Sequence, residues 1–185
     1  MKKRLLLHVC CGPCSLHVLQ KLQADFEVGG FYYNPNIQPF REYEFRRLEV
    51  AKIAEKLSWP LACGSYDMSE WFAAVRGLER EPERGRRCPV CFRMRLEKTF
   101  LYARAHSFDV VASTLSISPY KVTAQINEQG LALAREHGIE FLAENFKKND
   151  GFLLARRQAE LFGVKHQDYC GCAFSKAEKL LRLRK

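Results

Sequence analysis

Three cysteines fall within five positions in the run His8-Val9-Cys10-Cys11-Gly12-Pro13-Cys14, two frame Cys88-Pro89-Val90-Cys91, and two close Tyr169-Cys170-Gly171-Cys172. Thiols at such short spacing are metal ligands or redox groups, because the thiolate is the soft ligand and strong nucleophile among the side chains. Disulfides fit poorly, since bonded cysteines need Cα atoms about 5.5 Å apart and suitably turned, which adjacent Cys10 and Cys11 do not offer. Four thiolates close one tetrahedral zinc site. Seven exceed it, and match a four-iron cluster on four cysteines with about three thiols left for a mononuclear metal close by. Cys88 and Cys91 stand at a predicted helix start, where free amides and the dipole favour thiolate, so they are the first choice as cluster ligands.

Around the thiols lie other groups with chemistry. His8 reads equally as an acid, a ligand or a hydrogen-bonded strand residue. Arg84, Arg86, Arg87, Arg93 and Arg95 crowd Cys88 and Cys91, either as a solvated face or as phosphate contacts. Tyr32, Tyr33 and Tyr43 suit stacking on unpaired bases or packing in a core. Gly12, Pro13 and Gly171 allow the backbone to kink so that several sulfurs converge. The eighth cysteine, Cys63, lies alone in an apolar run and reads as a small buried core residue.

The elements that must carry these residues follow from hydrophobic pattern. Short apolar runs at 5–9, 28–33, 61–63, 110–113 and 139–142 have strand length. Helical patterns lie between them at 15–22, 41–57, around 71–78, at 91–106 and at 119–137. Phe92, Leu96, Phe100 and Ala103 make one buried stripe, with Arg93, Arg95 and Lys98 placed off it. Ser118-Pro119 has the signature of a helix start, and Gly138 that of its end. Five alternations predict a single domain, residues 1–185, with a parallel doubly wound Rossmann-like α/β sheet of about five strands and a C-terminal Cys-Gly-Cys extension. In such folds ligands bind beyond the carboxyl ends of the strands, which is where the cysteine motifs fall.

The chain has 185 residues, 47% hydrophobic, with 30 Lys and Arg against 21 Asp and Glu for a net charge of +9, which suits a polyanionic partner without demanding one. No apolar run approaches the roughly 20 residues that cross a bilayer, and no secretory leader pattern opens the chain. The expectation is a cytoplasmic protein with no membrane partner.

Taken together, HVCCGPCS, FYYNPNIQPFREYEFR, RCPVCFRMRL, STLSISPYK, NFKKNDG and DYCGC resemble the cobalamin-independent epoxyqueuosine reductase family, over about residues 5–175. The resemblance implies removal of the epoxide oxygen of epoxyqueuosine in the tRNA anticodon loop, the last step of queuosine synthesis. It implies a fold similar to the adenine-nucleotide hydrolase-like and PP-loop superfamily, a 4Fe-4S cluster, a second metal ion taken as iron, and an external electron donor. Carried over, Cys88, Cys91, one of Cys10 and Cys11, and one of Cys170 and Cys172 hold the cluster; Cys14 and the remaining thiols hold the second metal. His8, Asp168 and Tyr169 are candidate proton donors or orienters. Tyr33, Asn34, Asn36, Arg86, Arg87, Ser118 and Tyr120 are candidate substrate contacts. The chain has Lys165-His166-Gln167 where the family commonly has Tyr-Arg-Gln, and Ser113-Thr114 where it commonly has Thr-Thr. Two other functions compete: an iron-sulfur tRNA sulfur-transfer enzyme, which should carry a pyrophosphate-binding Ser-Gly-Gly loop where Cys10–Ser15 stands, and a zinc-stabilised RNA-binding module without redox chemistry.

Overall fold

Strand β1 (Lys3–Val9) runs through the middle of a five-stranded sheet, paired in parallel with β2 (Phe26–Tyr32) on one side and β4 (Val110–Ser113) on the other. β3 (Leu61–Cys63) and β5 (Glu140–Phe141) form the edges, also parallel, giving the order β3-β2-β1-β4-β5. The computed structural model describes residues 1–183, so the last two positions of the predicted 1–185 domain lie outside the described residues. The doubly wound α/β class is the one the alternation predicts.

Side chains alternate across β1, and each set enters its own core. Leu5, Leu7 and Val9 pack with Val28, Val110 and Ala112 toward α1 (Gly12–Gln23) and α2 (Phe40–Lys56). Leu6 and Val111 pack on the other face with Phe92, Leu96, Phe100 and Ala103 of α4 (Arg87–Ala105), and with Ile126 and Leu133 of α5 (Thr123–His137). A central strand covered on both faces reads as a continuous apolar run, which is why Leu5-Leu6-Leu7 shows no alternation in sequence.

Several local expectations need correcting. Arg95 is buried within α4, not placed on its outer face. Cys63 is exposed at the end of edge strand β3. Tyr32, Tyr33 and Tyr43 are all buried, so none offers a face to a base from solution. Ser118-Pro119 opens a turn instead of a helix, with Ser118 Oγ accepting from the Tyr120 amide at 3.3 Å, and α5 begins at Thr123. The loop is held open because its carbonyls are taken from outside: Arg84 donates to those of Pro119 and Tyr120, and Lys147 Nζ to that of Lys121. The end of α5 is as predicted, with Gly138 at φ 67°.

Three helices complete the molecule. α3 (Met68–Ala74) starts on Asp67, whose side chain accepts from the Glu70 amide. α6 (Gly151–Leu161) lies against α1, and α7 (Ala173–Arg182) begins directly after the last cysteine. No described helix is long and apolar enough to cross a membrane.

Candidate metal centre

From β1 the chain crosses to β2 on one side and later to β4 on the other, so the sheet's switch point lies between β1 and β4. Cys10 follows the last residue of β1, Cys11 caps α1, and Cys14 lies in its first turn, where Pro13 suits an early helical position. The three sulfurs lie within 4.8 Å of one another, with Cys10 and Cys11 at 3.7 Å. Thr114, just beyond β4, clamps Cys10: its Oγ1 accepts from the Cys10 amide at 3.1 Å and donates to the sulfur at 3.4 Å.

This packing splits the protonation of the triad. Thiol hydrogen bonds from Cys11 and Cys14, helped by Lys121 and Thr114, hold Cys10 well below the usual thiol range. Donating to Cys10 pushes Cys11 and Cys14 upward, and burial adds to it. Within the triad Cys10 is thus the thiol shifted toward the thiolate and Cys11 and Cys14 are its donors, and binding of a metal there would require release of the protons that remain.

Four more thiols come from the two other cysteine motifs. Cys88 and Cys91 occupy the first turn of α4, as predicted, yet burial pushes Cys88 up to about 11 despite a hydrogen bond from the Arg84 amide at 3.3 Å. The helix start is expected to favour thiolate at Cys88, but there desolvation outweighs it. Cys91 and Cys172 pack with Trp71 and Val75, and Cys172 Sγ caps α7 by accepting from the Ser175 amide at 3.3 Å. Burial pushes Cys172 up to about 12. Cys170 lines a cavity of about 230 Å³ with Cys10, Cys11 and Cys14, and also lines a smaller one beside Cys88. It joins the two thiol groups.

Two residues stitch this distant segment to the sheet. The Gln38 amide donates to the Gly171 carbonyl at 2.8 Å, its Oε1 accepts from the Ala173 amide at 2.9 Å, and its carbonyl accepts from the Tyr169 hydroxyl at 2.9 Å. Arg46, buried in α2, donates to the carbonyls of Tyr169 and Cys170 at 3.2 Å each, and pairs with Glu42 at 2.7 Å. Gly171 sits at φ 116°, and a Cβ there would meet Ile37 at 2.9 Å, so only glycine lets the strap lie this close.

The cavity wall also holds polar atoms that the protein leaves unpaired. Asn36 is fully buried, and neither its Nδ2 nor its Oδ1 has a partner; Arg95 Nη2 is likewise buried without one. Lys121 lines the same cavity, where burial works against its charge but Cys170, Cys10 and Cys14 hold its protonation upward. Soft sulfur donors, buried cations and orphaned N–H groups together fit an anionic thiolate-bound metal centre. A second acidic group, Glu97, Glu136 and His137, lies on the α4–α5 seam, and Arg93 already pairs with both of its carboxylates.

Other predicted residues separate into those at the cavity and those away from it. His8 is fully buried, with Nδ1 3.0 Å from Ser113 Oγ and Nε2 3.1 Å from the Tyr33 carbonyl; burial lowers it to about 4, so it is a neutral strand residue. Asp168 lines the cavity but is paired with Lys179, which holds it as a carboxylate, so it does not serve as a proton donor at neutral pH. Tyr169 also lines the cavity; burial pushes it up to about 12, and its hydroxyl proton is committed to Gln38. Asn34, Asn36, Ser118 and Tyr120 line the cavity, while Tyr33 does not: its hydroxyl donates to Glu70 at 3.3 Å. Arg86 is exposed and paired with Glu81. Arg87 is 2% exposed, donates to the carbonyls of Leu78, Glu79 and Glu81 and stacks on Phe174, so its predicted substrate contact is corrected to a structural role. Arg46 and Lys121 are residues at the site that sequence reasoning missed, and Arg95, read from sequence as part of a solvated face or a phosphate contact, is instead buried beside Cys91.

Among solved structures, the chain has the fold of the U34-tRNA thiolase NcsA from Methanococcus maripaludis with its [4Fe-4S] cluster, at TM-score 0.59 and 12% identity over 94% of this chain; it spans 61% of that protein's length. A predicted subunit of tRNA methyltransferase from Methanocaldococcus jannaschii follows at TM-score 0.56 and 13% identity, covering 83% of this chain and 74% of the other. In sequence, the epoxyqueuosine reductase QueH of Acinetobacter baylyi is 40% identical over 177 residues, 93% of this chain and 80% of that protein. The QueH of Thermotoga maritima is 35% identical over 178 residues, 94% of this chain and 91% of its own length. The pattern of the family described as Epoxyqueuosine reductase QueH runs from residue 5 to residue 178, through every cysteine of the cavity, and the chain belongs to that family.

Proposed function

We propose that this chain reduces epoxyqueuosine in the anticodon loop of cytoplasmic tRNA to queuosine, spending two electrons and two protons per epoxide and releasing its oxygen as water. The observation that carries the reading is that Cys170 lines the switch-point cavity with Cys10, Cys11 and Cys14 and also lines the smaller pocket beside Cys88, so that thiols from three distant segments adjoin. Cys10, Cys88, Cys91 and Cys170, one or two from each motif, all act on the buried Arg95 and are assigned to the cluster. Cys11 and Cys14 line the cavity beside them and are assigned to the second metal, taken as iron. Cys172, which shares the nest of Trp71 and Val75 with Cys91, is not among the thiols that favour the charge of Arg95 and is left unassigned. A four-iron cluster held there would supply electrons singly from an external donor, and a second metal beside it would supply a Lewis acid for oxygen.

The protein's own contribution is a pocket and its mouth. A cavity of about 230 Å³ admits one nucleoside side group turned out of a single-stranded loop. Lys121 and Asn36 offer donors for its oxygens, and Tyr120, 63% exposed at the rim, takes the base-stacking role that the buried tyrosines cannot. Exposed Arg156 and Arg182 provide phosphate contacts around the opening.

The test is iron and acid-labile sulfide content with an electron paramagnetic resonance spectrum of dithionite-reduced, anaerobically purified protein, followed by an assay on epoxyqueuosine-bearing tRNA. The expected result is about four sulfides and four to five irons per chain, a reduced-cluster signal and conversion to queuosine. Zinc alone, with no sulfide after reconstitution and no turnover, would replace this reading with the RNA-binding module.

A further inference from the structure

Arg95 is 2% exposed, yet no carboxylate lies within 4.0 Å of its guanidinium among the described residues. An unpaired buried cation is costly, so something in the loaded protein must carry the opposite charge. Two of its three nitrogens are fixed by neutral oxygens: Nε donates to the Cys91 carbonyl at 3.2 Å and Nη1 to Asn34 Oδ1 at 3.3 Å. Asn34 is itself anchored by donating to the Val9 carbonyl at 2.9 Å, at the end of β1. The clamp holds the guanidinium between the first turn of α4 and the end of β1, and leaves Nη2 buried without an acceptor. The groups around it that can be negative are thiols: burial works against the charge of Arg95, while Cys91, Cys170, Cys10 and Cys88 favour it.

We propose that Arg95 is the positioning counter-charge of the metal centre, with its free Nη2 donating to a cluster sulfur or ligating thiolate and its charge holding the cluster's reduction potential up. The inference rests on the reading of these thiols as cluster ligands. Reduction adds one negative charge to an already anionic centre, so a fixed cation and an N–H donor beside the sulfurs stabilise the reduced form more than the oxidised one. Arginine suits the task because its planar fork fixes two anchoring bonds on two nitrogens while a third nitrogen points elsewhere, whereas the three donors of lysine share a single nitrogen on a flexible stem.

The experiment is a potentiometric titration of the cluster followed by electron paramagnetic resonance, on wild type, Arg95→Gln and Arg95→Lys, with iron and sulfide counted and folding checked by circular dichroism. We expect Arg95→Gln to lower the ratio of reduced to oxidised cluster at a fixed potential about tenfold, which is 59 mV for a one-electron couple. Arg95→Lys keeps the charge, loses the fork, and should fall between. An Arg95→Gln protein that folds but stays empty, beside a loaded Arg95→Lys at lowered potential, supports the same assignment. Either variant fully loaded at the wild-type potential overturns it, as does loss of folding in both, which would make Arg95 a plain structural residue. A wild type that binds no cluster fails the ligand reading instead, and so separates the two.

Discussion

Burial decides the state of the thiols before any metal arrives. Cys88 pushed up to about 11 and Cys172 to about 12 are protonated at physiological pH, and in the triad only Cys10 is shifted toward the thiolate. Loading must therefore release protons, so apparent metal affinity should rise with pH. Cys88→Ser removes a ligand from the rigid first turn of α4 while leaving the Arg84 amide an acceptor, so the protein should fold normally, lose the cluster and lose all reductase activity. Visible absorbance and iron content check this, and a coloured, fully active variant would sink the assignment. At this scale the thiol groups were legible because their spacing alone is chemical. Arg95 was not: read from the stripe Phe92, Leu96, Phe100, it falls off the apolar face, and only the fold shows that its neighbours are Cys91 and Asn34. His8 was ambiguous for the converse reason, since a strand's sequence does not say that Ser113 and the Tyr33 carbonyl will take both ring nitrogens.

Secondary structure here exists to hold two loops against a third. β1, β4 and α1 bring Cys10, Cys11, Cys14 and Thr114 together through the sheet, and this part follows from the alternation of apolar runs. The strap 169–172 has no such support. It is held by Gln38 and Arg46, contacts made across more than 120 residues of sequence that no local pattern announces, and by the local cap on α7. For the same reason α7 was not foreseen, while α5 was predicted to start too early because Arg84 and Lys147 take the carbonyls that a helix from Pro119 would have used. Gln38→Ala removes the acceptor for an α7 amide and the bond from Nε2 to the Pro35 carbonyl. The loss should be about 1–3 kcal/mol, or about 2–4 °C in Tm per kcal/mol for a chain of this size, together with reduced iron per chain after loading. An unchanged Tm and full loading would mean that Arg46 alone holds the strap.

Across the whole molecule, the net charge of +9 is spent in two distinct places. Much of the basic run before Cys88 is consumed internally: Arg87 is buried among carbonyls, Arg84 ties the 119–120 loop, and Arg86 pairs with Glu81. The cations nearest solution at the cavity mouth come instead from the other end of the chain, Arg156 on α6 and Arg182, 75% exposed, on α7. A run of arginines in sequence is therefore a poor guide to where phosphates bind, because burial and local pairing decide which guanidinium groups remain available. If an anticodon loop approaches the cavity, its backbone should pass over the α6–α7 edge. Replacing Arg156 and Arg182 together by Ala should raise the KM for tRNA and make the dependence of log affinity on log salt shallower by about 1.4, the value for two contacts to a single strand. Cluster content and reduction potential should stay at wild-type values, since both side chains are exposed at the rim and neither bonds to a cysteine. Binding measured across a salt series checks it: an unchanged slope would take the backbone off this edge, whereas a change in KM with no change in slope would mean that the arginines act through the shape of the mouth and not through phosphate.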